Sequence, residues 1–299
     1  MQFKNFDQLQ ELLESGFVLG GVKVIEHSTH AADKTKSIAT FQLSYWRAVH
    51  AEVMTHRVFS RNASSSRAVP VKKILAQVWN NPVQPFHWGQ NQSGMQAKDE
   101  LTGIRLWAVK KLWNGLAKTT CAFVWAMSHL GLHKQVANRP LEAFQEIHVV
   151  LTATDLDNFF ELRCHEDAQP EIYALAMSMR NALESSVARI LKPGEWHLPY
   201  VTEQERATLP VEVLKKVSAA RCCRVSYLKH DGTVADVETD LRLCDRLVGS
   251  RPLHASPFEH QATPDKLNFG IWANPKAHGN LTGWCQHRKE IEFLHYAAA

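Results

Sequence analysis

Much that would fix a function class outright is missing from this chain. No run of residues approaches the ~18 apolar positions of a membrane-spanning helix, so no such helix is expected. The first residues, Met1 to Leu13, carry Asp7 and Glu11 and lack the basic-then-apolar order of a signal peptide. A cytoplasmic protein is the expectation. Six cysteines contain no C-x-x-C pair, and the adjacent Cys222 and Cys223 are a poor zinc spacing. Buried, reduced thiols are expected instead. Sixteen histidines include no H-E-x-x-H or comparable spacing, so no metal site is expected. Charge of one sign is scarce as well. The net charge of +4 is spread along the chain and suits a small anionic ligand as well as it suits nucleic acid. What remains is ordinary for a soluble globular protein, with 45% apolar and 21% charged residues over 299 positions.

One stretch stands apart from this plain background. Residues 55–67, Thr-His-Arg-Val-Phe-Ser-Arg-Asn-Ala-Ser-Ser-Ser-Arg, hold one histidine, three arginines, one asparagine and four serines in thirteen positions. They include no glycine or proline, so the stretch does not read as a flexible linker. Trp46, Val49, Val53 and His56 recur at spacings of three and four, which predicts a helix carrying His56 on its apolar stripe. A helix that runs into serines and arginines can offer backbone N–H groups, hydroxyls and guanidinium forks to one anion, phosphate above all.

The rest of the chain divides coarsely. Phe17–Leu19 and Val22–Ile25 flank Gly20-Gly21 and predict a hairpin. Thr40–Tyr45 alternates as a strand. Residues 80–97 read as a polar loop, and 98–131 as the longest helix, its aromatic stripe destined for core or a subunit interface. Ile147, Val149 and Leu151 alternate as a second strand, after which Thr154 or Asp155 is placed to cap a helix. On that helix Leu156, Phe159, Phe160 and Arg163 share a face, so Arg163 is expected toward the core with an anionic or accepting partner. A further helix is predicted from Pro170 to a stop at Pro193-Gly194.

Three blocks resemble one family. Arg57, seven residues, then Ser65 resembles the RHR-x7-S signature of the flavin-dependent thymidylate synthases (ThyX), with Thr55 where the signature begins with Arg. Asn158-Phe159-Phe160-Glu161-Leu162-Arg163, followed by Ala168-Gln169, is similar to that family's N-F-x-x-L-R…A-Q. Ala219–Tyr227 and His254-Ala255-Ser256-Pro257-Phe258-Glu259-His260 resemble its A-A-R-V-S and H-x-S-P-F-E-H. In ordinary members the last two motifs come first; here they come last, a circularly permuted order. Residues 70–145 and 265–299 do not align with the family's motifs, apart from Arg139 as a candidate nucleotide-binding arginine.

The resemblance implies a single α+β domain over 1–299, a twisted antiparallel sheet flanked by long helices, assembled as a homotetramer. It implies FAD, with NADPH and methylenetetrahydrofolate as co-substrates, and methyl transfer onto a deoxypyrimidine monophosphate, dUMP to dTMP first. Glu52, Ser64, Ser65, Ser66, Arg67, Arg139 and Arg163 would contact the nucleotide, with Arg163 activating the base. His56, Arg57, Asn62, Thr152, Thr154, Asn158, Ser226, His254 and Ser256 would contact the flavin. Two alternatives keep the fold, with dCMP as substrate or a hydroxymethyl product. One of another class is a nucleic-acid-binding protein using Arg61, Arg67, Lys72, Lys73 and Trp79. A core-facing arginine speaks against it, because a backbone-binding patch is exposed.

Overall fold

The strand expected near Thr40–Tyr45 is the centre of the main sheet, with one apolar core on one face, the C-terminal half on the other, and a separate core formed by the helices of residues 71–144. The computed structural model describes residues 5–226 and 236–297. Its first half runs α1 (Phe6–Glu14), β1 (Val22–His30), β2 (Ser37–Trp46), α2 (His50–Met54), β3 (Ser60–Ala63), α3 (Val71–Asn80), α4 (Gly103–His129), α5 (Lys134–Ala137) and β4 (Glu146–Ala153). Its second half runs α6 (Asp157–Arg163), α7 (Pro170–Glu184), β5 (Arg189–Leu191), α8 (Glu203–Thr208), α9 (Val211–Cys223), α10 (Val237–Gly249), β6 (Ala262–Pro264), β7 (Leu267–Asn268), β8 (Ile271–Trp272), β9 (Trp284–Gln286) and α11 (His287–Ala297). The α+β class is as expected. The main sheet has the order β3-β4-β2-β1-β5. Its pairs are antiparallel except β1 with β5, so the sheet is mixed rather than purely antiparallel.

Side chains on a strand alternate between faces, and here the two faces meet different chemistry. Phe41, Leu43 and Tyr45 of β2, with Ile147, Val149 and Leu151 of β4, pack on Ile172, Leu175 and Met179 of α7 and on Phe159 of α6. The alternate residues face the C-terminal half of the chain. Ile38 packs with Leu191, Ala262, Leu281 and Trp284, and Val150 packs with Cys222 and Val225. The polar members of this second face are linked. Ser28 Oγ meets His197 Nδ1 at 2.9 Å, and His197 Nε2 meets Thr40 Oγ1 at 2.8 Å. Thr40 Oγ1 meets Thr152 Oγ1 at 2.7 Å, and Thr152 Oγ1 meets His260 Nδ1 at 2.9 Å. Every residue in this chain of hydrogen bonds is fully buried. The polypeptide after His260 therefore lies beside Ile38 and Thr40.

Four local expectations give way to tertiary structure. Phe17–Leu19 is no strand; Phe17 and Leu19 pack beside α1 and α7, Ser178 Oγ accepts from Leu19 N–H, and Asn181 Nδ2 donates to the Phe17 carbonyl. The hairpin joins β1 and β2 instead, and Gly21 is needed because a Cβ there would lie 2.3 Å from the Ser44 carbonyl oxygen. The stretch after His56 is not all loop, since Ser60–Ala63 forms β3 on the edge of β4. Neither Thr154 nor Asp155 caps α6, which starts at Asp157 with no side-chain cap. The helix from Pro170 stops at Glu184, where Ser185 and Ser186 turn back onto carbonyls of its last turn, and Arg189–Leu191 then pairs with β1.

The long helix exists but begins at Gly103. Ala117, Cys121 and Val124 are buried on it, while Ile104, Trp107, Leu112, Leu116, Phe123 and Trp125 are each more than half exposed. Among the described residues no helix is long and apolar enough to cross a membrane.

Candidate active site

The end of β2 turns through a 3-10 segment, Arg47–Val49, into α2, and the buried Val49 and Val53 fix that turn on the core. This delivers Glu52 and His56 to the C-terminal side of β4, where α6 begins. The His56 ring stacks on Phe59 at 5.6 Å and meets the edge of Phe159 at 4.9 Å. Phe159 and Arg163 are one turn apart on α6, so the ring that holds His56 and the guanidinium beside it come from one face. Arg163 Nε donates to His56 Nε2 at 3.2 Å, and Arg163 Nη1 lies 3.7 Å from Glu52 Oε2. Arg163 is not sunk in the core as expected. Its side chain is 23% exposed, on the rim, because α6 is only seven residues long and ends with it.

The contact with Arg163 also fixes the state of His56. An imidazole nitrogen that accepts from a guanidinium cannot carry a proton, so Nδ1 holds it. Burial, then the charges of Arg163 and Arg61, push the His56 pKa down. The ring is thus a neutral acceptor that holds Arg163 without competing for its charge.

A second cluster lies along the serine stretch. Ser64 N–H donates to the His148 carbonyl at 2.8 Å, and His148 N–H donates to Ser64 Oγ at 3.0 Å, which continues the β3–β4 pairing. Ser65 Oγ accepts from Arg67 N–H at 3.3 Å and caps the turn Ser66–Ala68. Ser66, expected to touch substrate, is buried, and its hydroxyl donates to Glu142 Oε1 at 2.6 Å. It is a support for the loop. The same carboxylate oxygen takes Arg139 Nη1 at 3.0 Å and lies 3.9 Å from Arg47 Nη1. Arg47 Nη2 donates to the Ser64 carbonyl at 3.3 Å, while its buried Nε meets no partner among the described residues. Two guanidiniums thus share one carboxylate beneath the serines. Arg67 is exposed and has no ion pair among the described residues, so the cluster keeps positive charge for an anion.

Arg47 and Glu142 went unnamed at the sequence level. Neither belongs to a motif, and 94 intervening residues separate them; an arginine just past the end of a strand was the only signal.

The remaining expected contacts are dispersed. Asn62 Nδ2 donates to the Cys222 carbonyl at 3.1 Å, and its Oδ1 accepts from Ser256 Oγ at 3.1 Å, so the S-P-F-E-H segment lies against β3. Arg57, Asn158, His254 and Ser256 are exposed. Thr154 Oγ1 is buried and meets no partner among the described residues. Thr152 is fully buried with its hydroxyl shared between Thr40 and His260, so its side chain has nothing left for a ligand. The Ser226 side chain lies outside the described residues.

No cysteine is poised as a nucleophile among these groups. All six are free thiols, and burial raises the pKa of each, Cys164 to about 11, Cys244 to about 11 and Cys285 to about 12. Asp265, His278 and Cys285 bring three donor atoms within 4.8 Å of one another. His278 Nδ1 accepts from Gly283 N–H at 3.2 Å, and its Nε2 meets Asp265 Oδ2 at 2.9 Å. A cation on Nε2 would displace that proton and leave the ring accepting on both nitrogens, so the arrangement reads as a loop clamp.

Comparison with known proteins points one way. A family model described as thymidylate synthase complementing protein matches residues 23–187, more than half of the chain. The match spans the serine stretch and the Arg163 helix and stops before the S-P-F-E-H segment. The chain is also similar to two solved structures of ThyX from Helicobacter pylori, both with FAD and dUMP. One is 15% identical, with 49% of this chain and 67% of that chain covered at a TM-score of 0.35. The other is 16% identical, with 59% and 78% covered at a TM-score of 0.36. No curated protein matches the chain.

Proposed function

The chain belongs to the thymidylate synthase complementing protein (ThyX) family, the flavin-dependent thymidylate synthases, and from that premise we propose that it methylates the 5-position of dUMP with methylenetetrahydrofolate, FAD and NADPH. The observation that carries this reading is the Arg163–His56–Glu52 contact set at one end of the β3–β4 pair, with the serine and arginine loop at the other end of the same pair. Arg163, whose Nε meets a neutral ring and whose Nη1 stands 3.7 Å from the Glu52 carboxylate, would exchange part of that long ion pair for negative charge on a pyrimidine ring as it is attacked. Arg67, Ser65 and the pair Arg47 and Arg139 hold the nucleotide phosphate.

The residues present suit a flavin. Thr154 Oγ1 is a buried hydroxyl without a partner among the described residues, and Arg57, Asn158, His254 and Ser256 offer exposed polar groups. When bound and reduced, the flavin supplies the electrons that turn a transferred methylene into methyl. The chain's own part is to orient the base, keep the phosphate fixed and exclude water. We read the S-P-F-E-H segment as the portion that ordinary members carry ahead of the arginine and serine signature, so that the motif order is circularly permuted. Ser256→Ala should then weaken FAD binding; unchanged FAD affinity would sever that segment from the site. The exposed apolar face of α4 is assigned to contact with a second copy, and light scattering on the pure protein reads the assembly directly.

The visible spectrum and a FAD titration test the flavin. Incubation with the reduced cofactors and dUMP or dCMP in parallel then identifies the base. A protein without affinity for FAD ends this reading, and turnover of dCMP alone moves the substrate.

A further inference from the structure

Neither α3 nor α4 contains an aspartate or a glutamate. The exposed surface of α4 divides into two rows. Leu112, Leu116, Phe123 and Leu130 recur at spacings of four and seven and form the apolar face assigned above to a second copy. Trp107, Lys111, Lys118, Trp125 and His129 recur at the same spacings and are also exposed, on a row turned about 140° from the first. Lys118 Nζ lies over the Trp79 ring of α3 at 5.5 Å, which joins this second row to the exposed face of α3, where Lys72 and Lys73 stand. Lys111 Nζ lies over the Trp107 ring at 6.0 Å. The His129 ring packs on Trp125 at 4.0 Å, and its Nδ1–H donates to the Trp125 carbonyl at 2.8 Å. The result is a ridge of alternating indoles and cations.

The packing of the two helices does not use these tryptophans. Ile74, Val78, Ala117, Cys121 and Val124 close the core between them, while Trp79, Trp107 and Trp125 are each half exposed or more, although indoles are highly buried on average. None of Lys72, Lys73, Lys111 and Lys118 has an ion-pair partner among the described residues, so the charge of the ridge is uncompensated. Trp107 and Trp125 stand eighteen residues apart, about 27 Å along the helix. Flat rings set along a row of free cations fit a polyanion that has unpaired planar groups of its own. A single strand of nucleic acid is that partner, its phosphates meeting the lysines and its bases stacking on the indoles. The lysines over Trp79 and Trp107 lie where bases would stack, and their long side chains can turn outward to phosphates. A second copy of the ridge would meet it with like charge. A membrane surface takes a continuous apolar face, which the alternation of rings and cations denies it.

We propose that the ridge on α3 and α4 binds single-stranded nucleic acid, with the three tryptophans stacking bases and the lysines beside them meeting phosphates. It takes no residue of the proposed nucleotide site, and the inference does not depend on the proposed reaction. Fluorescence anisotropy of the full-length protein with a short labelled oligo-dT tests it, in excess dUMP so that the strand cannot occupy the nucleotide site instead. Binding should weaken steeply with salt, and each lysine removed should reduce the slope of log affinity against log salt by about 0.7. Trp107→Ala and Trp125→Ala should each weaken binding about fivefold or more, with thermal unfolding unchanged. Lys111→Glu should weaken it about tenfold, whereas Lys192→Glu, the same change of charge at an exposed position after β5, should not. A duplex of equal length should bind less well, because its bases are already paired. Absence of binding at low salt overturns the proposal, as do tryptophan variants within twofold of the unaltered protein. Equal losses in Lys192→Glu and Lys111→Glu, or displacement by poly-glutamate as readily as by unlabelled strand, reduce the ridge to general positive charge and overturn it too. Binding of anionic vesicles without binding of the strand overturns it in favour of a membrane. Each of these leaves the proposed function standing.

Discussion

The two faces of the central sheet are closed by different physics. Toward α6 and α7, β2 and β4 present Phe41, Leu43 and Leu151 to apolar partners, and the contact is non-directional. Toward the C-terminal half, the same strands present Thr40 and Thr152 to His197 and His260, and the contact is directional. An apolar face tolerates sliding so long as volume is kept. A buried chain of hydrogen bonds does not, because each broken link strands a polar group. The first face supplies stability, and the second fixes how the C-terminal segment sits on the site.

Removing the apolar face should have the largest effect. Phe41→Ala or Leu151→Ala deletes a fully buried side chain and should cost about 3–5 kcal/mol in denaturant unfolding. Losses below about 1 kcal/mol would show that the α7 face is not the main store of stability.

Acid should act on the polar face. Burial lowers the His260 pKa to about 3 and the His197 pKa well below its ordinary value, so both rings are neutral when folded. The unfolded chain takes up these protons first, near pH 6.5, so stability is fully present above that pH and is lost as pH falls toward 3. Each such histidine contributes a slope of about 1.4 kcal/mol per pH unit. Glu26 opposes this between about pH 6 and 4.5, since burial raises its folded pKa to about 6 and its protonation then favours the native state. Comparing the unaltered protein with His260→Gln isolates the histidine, and the variant should lose one proton's worth of slope between pH 6 and 4. Identical slopes would mean that His260 is not held neutral by burial.

The site itself straddles the two faces. Arg163 stands on the apolar side, and Ser256 reaches Asn62 from the polar side. Arg163→Ala should weaken dUMP binding by about 2–4 kcal/mol, measured by calorimetry, with little change in unfolding because the side chain is on the rim. Unchanged dUMP affinity with an intact fold would remove Arg163 from the site.

The contrast between faces also explains what could be read from the residues alone. Ile147, Val149 and Leu151 announce a strand because their partners are apolar and the period is two. Val150 and Thr152 on the opposite side carry no such pattern, and their partners Cys222 and His260 lie far along the chain. β3 was not readable because Ser60-Arg61-Asn62-Ala63 contains no strong strand former; its conformation comes from pairing with β4. β5 was hidden inside an apparent helical period through Val187 and Ile190, which pairing with β1 overrides. Glu52, His56 and Arg163 were each named through the family resemblance, His56 for the flavin and the other two for the nucleotide, but their mutual contacts were not legible. Nor was the carboxylate that joins Arg47 and Arg139, since a contact between positions 47 and 142 leaves no local trace.

The smallest effect expected is at the residue next to the most important one. Cys164 follows Arg163 directly, and a thiol there could in principle attack a pyrimidine and carry it covalently. The fold withholds the means. Cys164 is the residue at which α6 ends, half-buried against the core, and burial raises its thiol to about 11. Only about one molecule in 10⁴ would hold a thiolate at pH 7, and the thiolate is the nucleophile. No histidine donates or accepts at its sulfur among the described residues, so no base is at hand to draw the proton off. Cys164→Ala should therefore leave turnover within about tenfold, a barrier change of no more than about 1.4 kcal/mol. A folded Cys164→Ala protein that binds dUMP and FAD but shows no turnover would put the chemistry on the sulfur, and Arg163 would then serve to lower that thiol's pKa when substrate is bound.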